Sequence, residues 1–279
     1  MTLAIIALVI ILLLVAIIQY RQRLWHHETN ELVRRVKIKT NTVSHHVNLA
    51  EVDALPSPVK RYFHHVLKPG LPIIQHAHMQ QAGGFVTRLK KPHWSSLSAQ
   101  QWMSAQPNGF IWDAKITVLP LLSIYVRDTH LHSRSRMHGQ LLSLIKLFDF
   151  QATPELATAA LQRILAERVW MPTALLPSQG VQWTAINKYV ATATLQDGNV
   201  SAALDFEFNQ QGEIIRAYTA GRYREVKGQF ELTPWEGQYA NYTEIEGYRV
   251  PTAGEVAWVL ADAIHPYWKA TIKNIQYDY

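Results

Sequence analysis

The sequence predicts an α+β protein: an N-terminal transmembrane helix, then a large antiparallel β-sheet covered by a few helices. Three observations carry that reading. Leu3 to Ile18 is an unbroken run of 16 apolar residues. Two alternating runs, Tyr189–Gln196 and Val200–Phe208, flank Asp197-Gly198, the pattern of a β-hairpin with one buried face. One segment has helical spacing instead. Leu156, Ala160, Leu161, Ile164 and Leu165 follow Thr153-Pro154-Glu155, which supply cap, first-turn proline and N-terminal acid.

Taken in order, the first element is residues 1–20. Extended by Thr2, Gln19 and Tyr20, the apolar run spans roughly 28–30 Å as a helix, about one hydrocarbon core. No basic residue precedes it, and Gln19-Tyr20-Arg21-Gln22-Arg23 follows in place of a small-x-small cleavage site. The segment therefore reads as an uncleaved single-pass anchor rather than a signal peptide. Arg21, Arg23, Arg34, Arg35, Lys37 and Lys39 all follow it, so the charge bias places the rest of the chain on the cytoplasmic side of the inner membrane. Residues 21–55 read as a charged helical stem. Leu55-Pro56-Ser57-Pro58 marks the boundary to a single β-rich domain over 56–279. There Ser57 is expected as N-cap and Pro58 as the first helical residue. Val59, Tyr62, Phe63, Val66 and Leu67 then lie on one helical face.

From Ile73 to about Met137 the texture is that of strands, broken at Gly83-Gly84, Pro107-Asn108-Gly109 and Pro120. A helical insertion is expected over about 141–169, made of the apolar stretch Leu141–Phe150 and the capped helix after Thr153. After the hairpin, further strands begin near Glu213 and run through Tyr239–Ile245, Glu255–Leu260 and Trp268–Tyr279. Short turns between neighbours make them antiparallel. Leu204 and Phe206 are expected on a central strand, facing Leu161 and Leu165 of the covering helix.

Composition excludes several functional classes. The 279 residues are 48% apolar and only 17% charged, enough for a packed core and against disorder. The absence of cysteine removes disulfides, thiolate zinc sites, iron–sulfur clusters and thiol nucleophiles. The net charge of +6 divides unevenly, with +4 in residues 20–39 and +2 in the 240 residues beyond. The folded part therefore lacks the basic excess that nucleic-acid binding needs. No Gly-x-Ser-x-Gly elbow, phosphate-binding glycine loop or His-Glu-x-x-His occurs, and no cofactor is expected.

Two constellations remain. His76 with His78, and His130 with His132, are His-x-His pairs whose rings would share a face on a strand, as in sheet-borne metal sites. They carry a metal-dependent enzyme as the third functional reading, although no carboxylate is fixed near them. Large rings also stand beside charges at Trp112-Asp113, Arg127, Trp235-Glu236, Trp258 and Trp268. These seven residues are the candidates for a ligand cleft with aromatic walls. The alternative is a filled sheet core with Asp113 or Glu236 paired to Arg127, Arg222 or Arg224. No two carboxylates stand out as acid and base.

Leu55-Pro-Ser-Pro-Val-Lys-Arg-Tyr-Phe63, Gly109-Phe-Ile-Trp-Asp-Ala114, Thr153-Pro-Glu-Leu-Ala157, Val169-Trp-Met-Pro-Thr-Ala-Leu-Leu-Pro-Ser178, Pro234-Trp-Glu-Gly237 and Val250-Pro-x-x-Gly-Glu-Val-Ala-Trp258 together resemble a bacterial family. Its members are uncharacterised proteins with an N-terminal membrane helix, and the resemblance brings no activity or catalytic residues. The closing meander, Tyr242…Glu246-Gly-Tyr-Arg-Val-Pro251…Glu255-Val256, is similar to the lipoprotein-carrier fold (LolA- and LolB-like). That similarity implies a strongly curved, half-barrel-like sheet around helices, cupping acyl chains. Those carriers work in the periplasm, whereas the charge bias here is cytoplasmic. The resulting expectation is a membrane-anchored protein that meets the bilayer through residues 2–20 and binds a lipid or other apolar ligand in the concavity of its sheet. The competing class is an envelope scaffold with a filled core.

Overall fold

The structure, a computed structural model, describes residues 1–36 and 46–279; Lys37 and Lys39 of the basic flank lie outside the described residues. Among the described residues a single helix, α1 (Thr2–Val36), is long and apolar enough to cross a membrane. It continues past residue 20 without a break, so the first part of the expected stem is an extension of the apolar helix. The stem region also holds a 3-10 turn, Leu49–Val52, capped by the Asn48 side chain. Helix α2 (Ser57–Val66) buries Val59, Tyr62, Phe63 and Val66 as the spacing requires. Ser57 does not cap it. Pro56 holds the cap position, and the Ser57 hydroxyl instead accepts from Arg61.

The strands form two meanders. The first comprises β1 (His76–Val86), β2 (Trp94–Ser104), β3 (Gly109–Leu119), β4 (Leu122–Leu131), β5 (Arg134–Leu141) and β6 (Ile145–Gln151). The second comprises β7 (Gln182–Ala185), β8 (Val190–Asp197), β9 (Val200–Phe208), β10 (Ile214–Val226), β11 (Gln229–Ile245), β12 (Tyr248–Val259) and β13 (Ile264–Asp278). All pair antiparallel in one sheet, ordered β6-β5-β4-β3-β2-β1-β13-β12-β11-β10-β9-β8-β7. The β1–β13 pair joins the meanders, and Gly83 permits it: a Cβ there would stand 1.9 Å from the Lys269 carbonyl oxygen.

The sheet curls. β6 and β11 are eight strands apart in the order, about 38 Å in a flat sheet at 4.8 Å per strand. Yet the rings of Phe150 on β6 and Phe230 on β11 are 6.1 Å apart. Inside the curl lies α3 (Pro154–Glu167), capped by Thr153, whose hydroxyl accepts from the Leu156 amide. Its Leu161 and Leu165 pack in one cluster with Leu204 and Phe206, all essentially inaccessible. Each such side chain contributes about 1.5–3 kcal/mol on burial. The inward facing of Phe206 is as expected, but β9 is not central; it lies third from the β7 edge.

The expected helix over Leu141–Phe150 is instead the β5–β6 turn and strand β6. The apolar run fits either period, as short runs do. What decides is the open edge of β5, against which Phe148 pairs opposite Gly139. A Cβ at Gly139 would lie 2.5 Å from the Phe148 ring. Only α3 is α-helical within 141–169.

Candidate functional site

Between α3 and the curled sheet lies a cavity of about 560 Å³, within the range of small-molecule sites. Its walls are apolar, with Phe85, Ile116, Met137, Phe148, Phe230 and Val256 among them. Four of the expected cleft residues line it: Trp112, Trp235, Trp258 and Trp268. Trp258 stacks on Tyr267 at 5.6 Å, and the Trp235 indole donates to the Tyr267 hydroxyl at 2.9 Å. A shallower depression of about 670 Å³ on the other face, bordered by Glu207, Arg216, Glu255 and Lys269, is open to solvent.

Asp113, Arg127 and Glu236 are not in the cavity. Asp113 follows Trp112 on β3 and Glu236 follows Trp235 on β11, and successive strand side chains point to opposite faces. Glu236 is held on the outer face by Arg216 at 2.7 Å. Asp113 and Arg127 hold the C-terminal part of α1 against β3, β4 and β5. The Trp25 indole donates to Asp113 at 2.8 Å, and the Thr29 hydroxyl donates to the other carboxylate oxygen. Arg127, 2% exposed, donates to the Trp25 carbonyl at 2.6 Å and to Thr29 at 2.7 Å. Its guanidinium lies 4.1 Å from the Trp25 ring. His138 packs on the same ring at 4.9 Å. Burial, reinforced by Arg127 and Arg136, pushes the His138 imidazole down to about 4.

The polar groups inside the cavity come from elsewhere. Arg163 on α3 is paired twice, to Asp128 at 2.7 Å and to Glu167 at 2.8 Å. Glu167 also accepts from Gln101, which accepts from Gln81, which in turn accepts from the Trp112 indole. Burial pushes the Glu167 carboxyl up against the opposing pull of Arg163. This network is closed on itself. Arg222 is different. It donates to the Ala159 carbonyl at 2.5 Å and lies over Trp235, 5.2 Å from the ring. Among the described residues no carboxylate forms an ion pair with it, and burial lowers its proton affinity. Arg224, two residues along the same strand face, lies over Trp258 and likewise lines the cavity. Neither pairs with Asp113 or Glu236. The spacing Arg222-x-Arg224 on a strand was a visible signal for a shared face; the partners of Arg163 were not visible, because α3 meets β4 only through the fold.

The histidine pairs are dispersed. His76 meets the Val36 carbonyl at 2.9 Å, and His78 stacks on Trp102 beside Gln100. His130 is a buried group on β4, bonded to Ser135 and to Asp197, not a surface position. His132 occupies the β4–β5 turn with positive φ, so its ring cannot follow strand alternation. Among the described residues no group of three or more His, Asp or Glu side chains could hold a metal.

Comparison with known proteins adds two findings. The model of a family of unknown function, DUF6920, matches residues 53–277. A LolA superfamily protein from Nitrosomonas europaea has a crystal structure similar over 80% of this chain and 94% of that one, at 11% identity and a TM-score of 0.39. At that distance nothing about ligand or role passes from one to the other. None of the curated proteins matches this chain.

Proposed function

Because the chain belongs to the DUF6920 family of unknown function, which brings no activity with it, we propose a function from the cavity itself: a membrane-anchored protein that binds an acidic amphiphile, its acyl chain in the aromatic-walled cavity and its anionic head on Arg222 and Arg224. The observation that carries this is Arg222, a half-buried guanidinium inside the cavity that forms no ion pair with a carboxylate among the described residues and feels Asp128 and Glu167 only at longer range. Removing a charge from water costs several kcal/mol unless it is paired, and an anionic ligand would supply the missing partner. The second basic group, Arg224, extends the same face toward the cavity rim. Tethering by α1 keeps the site at the source of such ligands and raises their effective concentration. The six bases within about 20 residues after the apolar segment support a single-pass anchor with the domain on the cytoplasmic side.

The test is mass spectrometry of lipids that co-purify with the full-length protein in mild detergent, beside a Val256→Trp variant that fills the cavity. An acidic lipid present with the parent protein and absent with the variant is the expected result. Equal lipid in both, or none above the detergent background, overturns the reading and leaves a scaffold with an unoccupied interior.

A further inference from the structure

The exposed apolar side chains of the domain are not scattered. Among the described residues after α1, ten large apolar side chains are exposed, and six of them sit on three neighbouring hairpin tips. Trp94 closes the β1–β2 loop. Leu119 (61% exposed) and Leu121 (96% exposed) form the β3–β4 turn, and Leu144, Ile145 and Leu147 form the β5–β6 tip and the start of β6. Strand order places these tips on one edge of the first meander. The Leu142 amide donates to the Ser123 carbonyl and ties the second tip to the third.

The edge is located relative to the anchor by one contact. Arg21 of α1 donates to the carbonyl of Ser143, inside the β5–β6 turn, at 3.3 Å. From Val36 beside His76, through Trp25 beside Asp113, to Arg21 beside Ser143, α1 crosses the outer face toward this edge. It leaves the domain there, and Leu3 through Ile17 are exposed beyond it. A bilayer spanned by residues 2–20 therefore begins at the level of the three tips. Their charge fits that neighbour. The tip segments 86–94, 119–122 and 141–147 contain Arg88, Lys90, Lys91 and Lys146, and no Asp or Glu. Isolated apolar residues on a surface need no explanation, but a cluster rimmed by bases at the exit of a membrane helix does.

We propose that these three tips are a second membrane contact, in which the apolar side chains enter the interface of an anionic leaflet and the bases rest on its headgroups. Val86, Thr87, Leu89, Ile124 and Phe148, on or next to the same tips, line the cavity. The contact thus seats the cavity rim on the bilayer, so that an acyl chain passes between membrane and cavity without crossing water. Only this last consequence rests on the proposed ligand; the contact itself stands on the tips and the anchor.

The chain has no native cysteine, so single nitroxide labels can be placed on the full-length protein. Leu121→Cys and Ile145→Cys report on the tips, and Arg134→Cys, in the turn at the opposite end of β4 and β5, is the control. In vesicles of phosphatidylcholine and phosphatidylglycerol, the two tip labels should collide with oxygen and be shielded from a water-soluble nickel chelate, with the Arg134 label reversed. In phosphatidylcholine alone the shielding should weaken. Tip labels as open to the chelate as the control overturn the contact, and equal shielding in both lipids overturns its anionic preference. Shielded tips with no lipid in the cavity would keep this proposal and remove the ligand reading. Exposed tips with lipid bound would do the opposite.

Discussion

Replacing Arg222 with methionine should move folding and ligand binding in different directions. The substitution removes one charge-assisted hydrogen bond, to the Ala159 carbonyl, and the contact with the Trp235 face. Those are worth about 1.5–3 and 0.5–2 kcal/mol respectively. It also removes the cost of holding an unpaired guanidinium in an apolar cavity, several kcal/mol per ion after relaxation. The two nearly cancel, so the empty protein should keep its stability within about 1 kcal/mol. Arg163→Met is the contrast, since it strands Asp128 and Glu167 together without their cation. Breaking such a pair costs about 3–5 kcal/mol. For ligand, loss of the ionic partner should cost about 2–5 kcal/mol, roughly a 30- to 5,000-fold rise in Kd for a fatty acid. Urea titration followed by far-UV circular dichroism gives the first quantity, and displacement of a fluorescent fatty acid from the full-length protein gives the second. If Arg222→Met is as destabilising as Arg163→Met, or if it binds fatty acid as before, the assignment of Arg222 to the ligand head is wrong.

Other consequences concern packing, pH and topology. Phe206→Ala and Leu165→Ala should each cost about 3–5 kcal/mol, as closed-packed positions do, because Phe206 lies against Trp183 on the far side of α3 and does not line the cavity. Trp258→Ala should cost less, because its ring is only half-buried on the cavity wall and loses one stacked pair worth about 0.5–1.5 kcal/mol beyond that partial burial, and comparable losses at all three in urea titration would mean that the cavity wall is part of the closed core. His138 titrates at about 4 in the folded protein against an ordinary 6.5, so the unfolded chain binds more protons between those values. Its stabilisation is complete above about pH 6.5 and is lost as pH falls toward 4, which hydrogen exchange over residues 21–36 should register as loosening of α1. Asp149, held down to about 2 by Arg136, loses its contribution only below about pH 4 and does not overlap that window. His138→Gln should flatten the response above pH 4; an unchanged response would assign it to another group. A reporter fused after Tyr279 should be active in its cytoplasmic form, and activity confined to a periplasmic reporter would reverse the topology.

The sequence and the fold agree where a period repeats. Alternation around Asp197-Gly198 placed Leu204 and Phe206 inward, and the spacing after Thr153 placed Leu161 and Leu165 against them. Period two also held the answer to the division of the candidate cleft residues. Trp112 and Asp113 are consecutive on one strand, so one ring and one carboxylate could not both face the cavity. The Leu141–Phe150 run was illegible because its period is ambiguous and its partner, the β5 edge, is a tertiary feature. The pairing of Arg163 with Asp128, 35 positions away, and the docking of Trp25 on Asp113, 88 away, follow from curvature and helix exit. No local pattern encodes them. Trp25 and Thr29, four apart in a charged stretch, were a visible sign that α1 has a docked face beyond its apolar segment.

The most direct test of the central claim is photocrosslinking of the full-length protein in vesicles with a fatty acid that carries a diazirine near its tail. Carbene insertion is expected at residues of the cavity wall, among them Phe85, Met137, Phe230 and Val256, suppressed by excess unlabelled fatty acid and by Val256→Trp. Insertion confined to the apolar part of α1, or spread over the outer face at Glu207 and Arg216 and insensitive to competitor, would contradict it.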